Sequence, residues 1–275
     1  MASRTKRPQK HVLYQLSVQN PEFETGFIRR VYKSERGKDP LKLREDFCGT
    51  GILACEWVRR IPNGEAIGLD LHVPTLKWGE KENVSRLDGK ADRVSLVKCD
   101  VLETNEYQFA SGGSAPDIVA AFNFSYFVFK SRNVLLSYFR RVYESLDKDG
   151  LFFLDLYGGP EAQVEQEESR EVDEEGYEFD YVWDQAKYNP ITGEALCHIH
   201  FDFEDGTRMR RAFTYDWRLW SLPEVKDLLA DAGFRRADVY WEGTDHSDGS
   251  GNGVFRKSLR GDDSQAWICY IVGVK

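Results

Sequence analysis

Apolar positions along the first 159 residues alternate between helical and extended periods. Phe23, Phe27, Ile28 and Val31 fall on one helical face behind Asn20, a capping residue, and Pro21 at the first helical position, so they predict a helix. An extended run ending in Leu43-Arg44-Glu45-Asp46 gives way to Cys48-Gly49-Thr50-Gly51 and then to the helical pattern from Ile52 to Val58. Further strands read at Glu65 to Asp70, Val94 to Lys98, Pro116 to Asn123 and Asp149 to Asp155, with a helix from Leu135 to Leu146. Strands that alternate with helices build a parallel sheet covered on both faces.

Beyond Gly159 the pattern changes. The acidic run from Glu161 to Glu175 reads as a mobile, solvated segment. Tyr177 to Trp183, Leu196 to Glu204 and Thr207 to Tyr215 follow, joined by the turns Asn189-Pro190-Ile191-Thr192-Gly193 and Asp205-Gly206, so three antiparallel strands are expected. Ser221 caps a helix that ends at Gly233. Ala237 to Trp241 and Ala266 to Val274 supply two last strands, and the Gly-, Ser- and Asp-rich stretch from Gly243 to Gln265 reads as a lid or a disordered loop. The expected fold is α/β: a mostly parallel seven-stranded sheet with helices on both faces and an antiparallel last strand, plus an antiparallel β insertion after the fifth strand. Residues 1–40 form an N-terminal cap segment, 41–159 and 221–275 the core, and 160–220 an insertion that roofs the carboxyl edge. Open α/β sheets bind their ligands at that edge.

Candidate chemistry begins at the glycine loop. Gly49 and Gly51 let backbone approach a ligand, and the helix N-terminus behind them presents free amides. Asp70 follows about 20 residues on, the spacing at which a strand-end carboxylate takes a ribose hydroxyl pair. A third strand ends at Cys99-Asp100-Val101, so a second acid arrives at the same edge. With these residues in this order the chain resembles the class I S-adenosylmethionine-dependent methyltransferases over nearly its whole length, most strongly from Leu41 to Gly159. Against that family's acid-x-Gly-x-Gly-x-Gly loop, Glu45 takes the acid position and Gly49 and Gly51 the last two glycines. Phe47 replaces the first glycine, and Asp46 stands where an apolar residue is common.

The resemblance implies a Rossmann-like, small-molecule methyltransferase with S-adenosyl-L-methionine as cofactor. It places Glu45, Cys48, Gly49, Gly51, Asp70, Leu71, Asp100, Val101 and Asn123 around that cofactor. Asp70 would serve the ribose, Asp100 and Val101 the adenine, and Asn123 the methionine part. Tyr126 and Tyr157, which follow strand ends, and Tyr14, Trp183 and Trp217 are candidates for binding the substrate. The acceptor is a nitrogen or an oxygen, and no side chain is singled out as catalytic, because methyl transfer from a sulfonium needs mainly alignment and exclusion of water.

Bulk composition narrows the partners. A net charge of −9 and a pI near 5.2 argue against nucleic acid. No apolar run is long enough for a membrane span and no secretory signal is evident. Five cysteines without Cys-x-x-Cys spacing read as reduced thiols of a cytoplasmic protein. The basic cluster from Arg4 to Lys10 reads as a frayed terminus. His198, His200 and Asp202 share one face of an extended strand, a set able to bind metal or supply a base; the reading favoured here is a solvated strand face, with no metal. Methylation of a protein or nucleic acid, an NAD-dependent dehydrogenase and a non-catalytic cofactor-binding protein are the alternatives. The dehydrogenase accounts for the glycine loop and Asp70 but less well for Asp100.

Overall fold

The computed structural model describes residues 8–103, 107–245 and 251–275, so most of the basic cluster before Lys10 lies outside the described residues. Two compact units form: Pro21–Ala162 with Trp220–Lys275, and the described residues 8–20 with Gln163–Leu219. The expected 1–40 segment therefore divides at Asn20.

In the larger unit, α2 (Pro21–Arg36) carries Glu22 and Glu24 in its first turn and Lys33 and Arg36 in its last, charges that suit the helix dipole. It buries Phe27, Ile28, Val31 and Tyr32, and packs on α3 (Ile52–Arg60). The remaining elements are β1 (Lys42–Asp46), β2 (Glu65–Asp70), α4 (Val73–Glu82), β3 (Val94–Lys98), β4 (Ile118–Ala121), α5 (Arg132–Ser145), β5 (Leu151–Gly158), α6 (Leu222–Ala232), β10 (Arg236–Thr244), β11 (Gly251–Lys257) and β12 (Trp267–Val274). Ser221 and Glu224 close a capping box at the start of α6, and Gly233 ends it in the left-handed conformation.

The sheet order is β11-β10-β12-β5-β4-β1-β2-β3. β3, β2, β1, β4 and β5 are parallel, and β12 runs antiparallel to both β5 and β10. The strand count is eight, not seven, because β11 forms within the stretch expected to be a lid or loop and pairs antiparallel with β10. An edge strand with six of seven residues exposed has no buried face to leave an apolar alternation in the sequence. The central strands β1, β4 and β5 are buried almost throughout, as parallel strands covered on both faces must be. Strand order reverses between β1 and β4, so the crevice lies beyond their carboxyl ends.

The smaller unit is a four-stranded antiparallel sheet, β6 (Gln166–Glu174), β7 (Tyr177–Asn189), β8 (Glu194–Asp202) and β9 (Arg208–Arg218), with α1 (Lys10–Ser17) against it. Leu13 of α1 shares a core with Val172, Phe179, Ile199, Phe201 and Ala212. The insertion thus has one strand more than expected: the acidic run is not a mobile segment but the edge strand β6, in register with β7 from Gln166↔Gln185 to Glu174↔Tyr177. Its charges point to solvent, and only Val172 is buried. Among the described residues no helix is long and apolar enough to cross a membrane.

Candidate active site

The loop after β1 is built on left-handed residues: Phe47 at φ 58°, Gly49 at 54° and Gly51 at 65°. Phe47 adopts the conformation that the expected glycine would have, at a cost of order 1 kcal/mol for a side-chain-bearing residue. Its ring packs on Phe129 and Tyr138 at centroid distances of 5.8 and 5.6 Å, which offsets that cost. At Gly49 a Cβ would meet nothing nearer than the Thr75 methyl at 4.0 Å, so the requirement is conformational and the space beside the backbone is open. Gly79, on α4, is a packing glycine. A Cβ there would stand 2.2 Å from the Thr50 carbonyl oxygen, and this contact lets α4 hold the loop, together with Asn83, which donates to the same carbonyl at 3.0 Å.

Two of the expected acids hold this loop and the helix behind it, and a third follows the neighbouring strand β3. Glu45 Oε2 accepts the Ala54 N–H in the first turn of α3 at 3.1 Å. Asp70 accepts the Gly49 N–H at 2.9 Å on one oxygen and the His72 N–H at 2.7 Å on the other, which fixes the carboxylate at the end of β2 with lone pairs to spare. Asp100, just past β3, accepts the Leu102 N–H at 2.9 Å. Val101 and Cys48 are buried, while Leu71 is 59% exposed.

At the end of β4, Asn123 and Phe124 are consecutive left-handed residues, φ 57° and 56°. Both donate their backbone N–H to Asp155, at 2.7 and 2.9 Å, so this carboxylate on β5 shapes the turn that presents Asn123. In the sequence Asp155 stands out only as an acid inside the apolar run Phe152-Phe153-Leu154-Asp155-Leu156, and no role follows from that alone. Tyr126 is fully buried and donates its hydroxyl to the Asp155 carbonyl at 2.9 Å, so it supports the turn from within the core instead of facing a ligand. Tyr157 is half-buried, its ring 4.7 Å from that of Phe124.

Charge at this edge is one-sided. Burial pushes Glu24, on α2, up to about 8, with Asp155 adding repulsion, and pushes Asp155 itself up to about 7. Glu45 is raised well above the usual carboxylate range by burial, then by Glu24, Asp70 and Asp46. Burial, then Glu45, Asp70 and Asp46, raises the Cys48 thiol.

In the smaller unit, Tyr14, Trp183 and Trp217 come together. Trp183 lies 6.2 Å from Trp217 and 6.0 Å from Tyr215, Tyr215 stacks on Trp217 at 4.4 Å, and Tyr14 packs on Phe213 at 4.7 Å. Tyr215, missed in the sequence, is half-buried and bonded to Tyr14; desolvation first and then Tyr14 raise its phenol. The expected solvated face of β8 is not solvated: His198 and His200 are each 4% exposed. Alternation marks a polar face without showing whether it is covered, and β8 lies inside its sheet between β7 and β9.

Glu167, Asp184 and His200 bring donor atoms within 4.8 Å of one another. The Arg211 N–H donates to His200 Nδ1 at 2.8 Å, which leaves the ring proton on Nε2, and that nitrogen donates to Asp184 at 3.1 Å. A histidine ligates metal through an unprotonated nitrogen, and Arg208 already pairs with Glu167 at 2.9 Å. The donor set does not fit a resident cation.

No protein-family model and no curated protein matches the chain. Solved structures do. An S-adenosylmethionine-dependent methyltransferase from Clostridium acetobutylicum matches with TM-score 0.65 at 17% identity, over 96% of each chain. The amino pentose methyltransferase CalS10 from Micromonospora echinaspora, solved with S-adenosylmethionine bound, matches with TM-score 0.66 at 16% identity, over 96% of each chain. The sugar N-methyltransferase KedS8 from a Streptoalloteichus species gives 0.62 at 15% identity, over 100% of this chain and 96% of that one. The chain has the fold of the S-adenosylmethionine-dependent methyltransferases, a mixed α/β fold with a large, mostly parallel sheet.

Proposed function

We propose that the protein is an enzyme that transfers a methyl group from S-adenosylmethionine to a nitrogen of a small molecule of the amino-sugar class. The observation that carries this reading is the pairing of an open glycine turn at Gly49 with fixed strand-end carboxylates at Asp70 and Asp100, beside buried acids, Glu24, Glu45 and Asp155, with which no Lys or Arg pairs among the described residues. Such a site suits a ligand with a ribose and a positive charge. In this reading Asp70 binds the ribose hydroxyls, Asp100 and the Val101 amide border the adenine, and the Asn123 turn, set by Asp155, faces the amino-acid part. The bound sulfonium supplies the electrophilic methyl. The chain's own work is to align donor and acceptor and to exclude water.

Three observations favour a small amine over the alternatives. The net charge of −9 disfavours nucleic acid. Trp183, Tyr215 and Trp217 of the small sheet and Tyr14 of α1 gather together and form the acceptor-recognition surface in this reading. A hydroxyl acceptor would want a base, and His200 has both ring nitrogens engaged; the relatives named above as amino pentose and sugar N-methyltransferases point the same way. All five cysteines are free, as suits a cytoplasmic enzyme. The test is a panel of amino sugars and their hydroxyl counterparts incubated with S-adenosylmethionine and read by mass spectrometry. Mass gain of one or more methyl groups on amines alone is expected. Transfer to the hydroxyl counterparts alone would overturn the choice of nitrogen.

A further inference from the structure

Glu24 is a buried acid of the sheet edge that the reading above leaves without a task. It sits on the first turn of α2 and is 7% exposed, yet no hydrogen bond or ion pair engages its carboxylate among the described residues. Its neighbours are acids. Asp155, which spends both oxygens on the Asn123 and Phe124 amides, repels it from β5, and Glu45, bound to the Ala54 amide, feels it from β1. From β12, Tyr270 adds a phenol whose own ionisation Glu24 opposes. These partners locate Glu24 at the carboxyl ends of β1 and β5, which flank the β4 turn at the point where strand order reverses.

Burying a carboxylate without a partner is costly, and among the described residues no Lys or Arg pairs with any of these three acids. The missing partner is a cation that arrives from outside. We propose that Glu24 is the cofactor-binding carboxylate that receives the positive charge of a bound S-adenosyl ligand, an assignment that rests on the methyltransferase reading. Two positive groups answer to this chemistry, the α-ammonium and the sulfonium, and three ligands separate them. S-Adenosylmethionine carries both, S-adenosylhomocysteine only the ammonium, and 5′-methylthioadenosine neither.

Titration calorimetry on Glu24→Gln, which keeps the side-chain shape, is expected to show affinity for S-adenosylmethionine and S-adenosylhomocysteine lowered by about 10-fold or more, the usual worth of a charge-assisted contact. Binding of 5′-methylthioadenosine should stay within about twofold of wild type. A loss confined to S-adenosylmethionine would assign the sulfonium, and a loss for both would assign the ammonium. Because the variant removes a buried ionisable group that has no partner, the unliganded melting temperature should hold or rise, which separates this result from misfolding; Glu24→Asp should keep most of the affinity. Equal losses for all three ligands, or no loss, would overturn the proposal. Failure of the wild type to bind any S-adenosyl ligand would instead overturn the methyltransferase reading beneath it.

Discussion

Arg44→Met is expected to lower the unfolding free energy by about 3–5 kcal/mol. Arg44 lies on β1 in the middle of the sheet with its side chain fully buried. Its Nε and Nη2 donate to the two oxygens of Asp46 at 2.8 and 2.9 Å, and its Nη1 donates to the Tyr107 hydroxyl at 2.8 Å and Ser145 Oγ at 2.7 Å. Tyr138 donates to Asp46 at 2.8 Å from the other side. Residues two apart on a strand share a face, so the charged pair is local to β1 and explains why an acid replaces the usual apolar residue ahead of the glycine loop. Burial raises the Asp46 carboxyl and Arg44 draws it back down; without Arg44 the carboxylate is left buried and unpaired. The double variant Arg44→Met with Asp46→Leu should recover most of the loss, since removing both charges removes the desolvation penalty. Denaturant unfolding measures both. A single variant within about 1 kcal/mol of wild type would contradict the account.

Unliganded protein should lose stability as pH rises from 6.5 toward about 8, with each responsible group contributing up to about 1.4 kcal/mol per pH unit. The sign follows from the direction of the shifts. Glu24 moves from 4.5 up to about 8 and Asp155 from 3.8 up to about 7. Between the unfolded and folded values the native state holds protons that the unfolded chain has released, so the contribution is full at low pH and is lost as pH climbs through the folded values. His198 acts in the opposite sense: burial and Arg211 lower it from 6.5, and its effect is spent once the unfolded histidine has titrated. Above 6.5 the His198 contribution fades as the unfolded histidine finishes titrating, so the carboxylates set the slope toward pH 8. Saturating S-adenosylhomocysteine should flatten the slope by supplying positive charge. Denaturation midpoints across the range, with and without ligand, test this, and a midpoint that rises steadily toward pH 8 in the unliganded protein would refute it.

These buried charges mark where the sequence stopped being readable. Gly49, Gly51, Asp70 and Asp100 were legible because a glycine loop and strand-end acids follow from local order, and the parallel core followed from alternating periods. Arg44, Asp155 and Glu24 were not, because a charged residue in a sequence carries a strong expectation of solvent, and only the assembled sheet shows it buried. Edge strands failed for the converse reason. β6 and β11 bury almost nothing, so Glu167 to Glu171 read as a solvated run and Gly251 to Gly253 as loop. His198 and His200 show the limit of alternation, which gave their face correctly and its burial wrongly. Tyr126 looked like a site residue from its place after a strand, but its hydroxyl turned inward to the Asp155 carbonyl.

Whether the edge formed by Gly49, Asp70 and Asp100 binds an S-adenosyl ligand is tested most directly by calorimetric titration of the purified wild-type protein with S-adenosylhomocysteine and, in parallel, with NAD. The account predicts saturable one-site binding of S-adenosylhomocysteine and no heat of binding from NAD, because the two strand-end acids serve one ribose and one adenine on a single mononucleotide half. Saturable binding of NAD with no response to S-adenosylhomocysteine would contradict it.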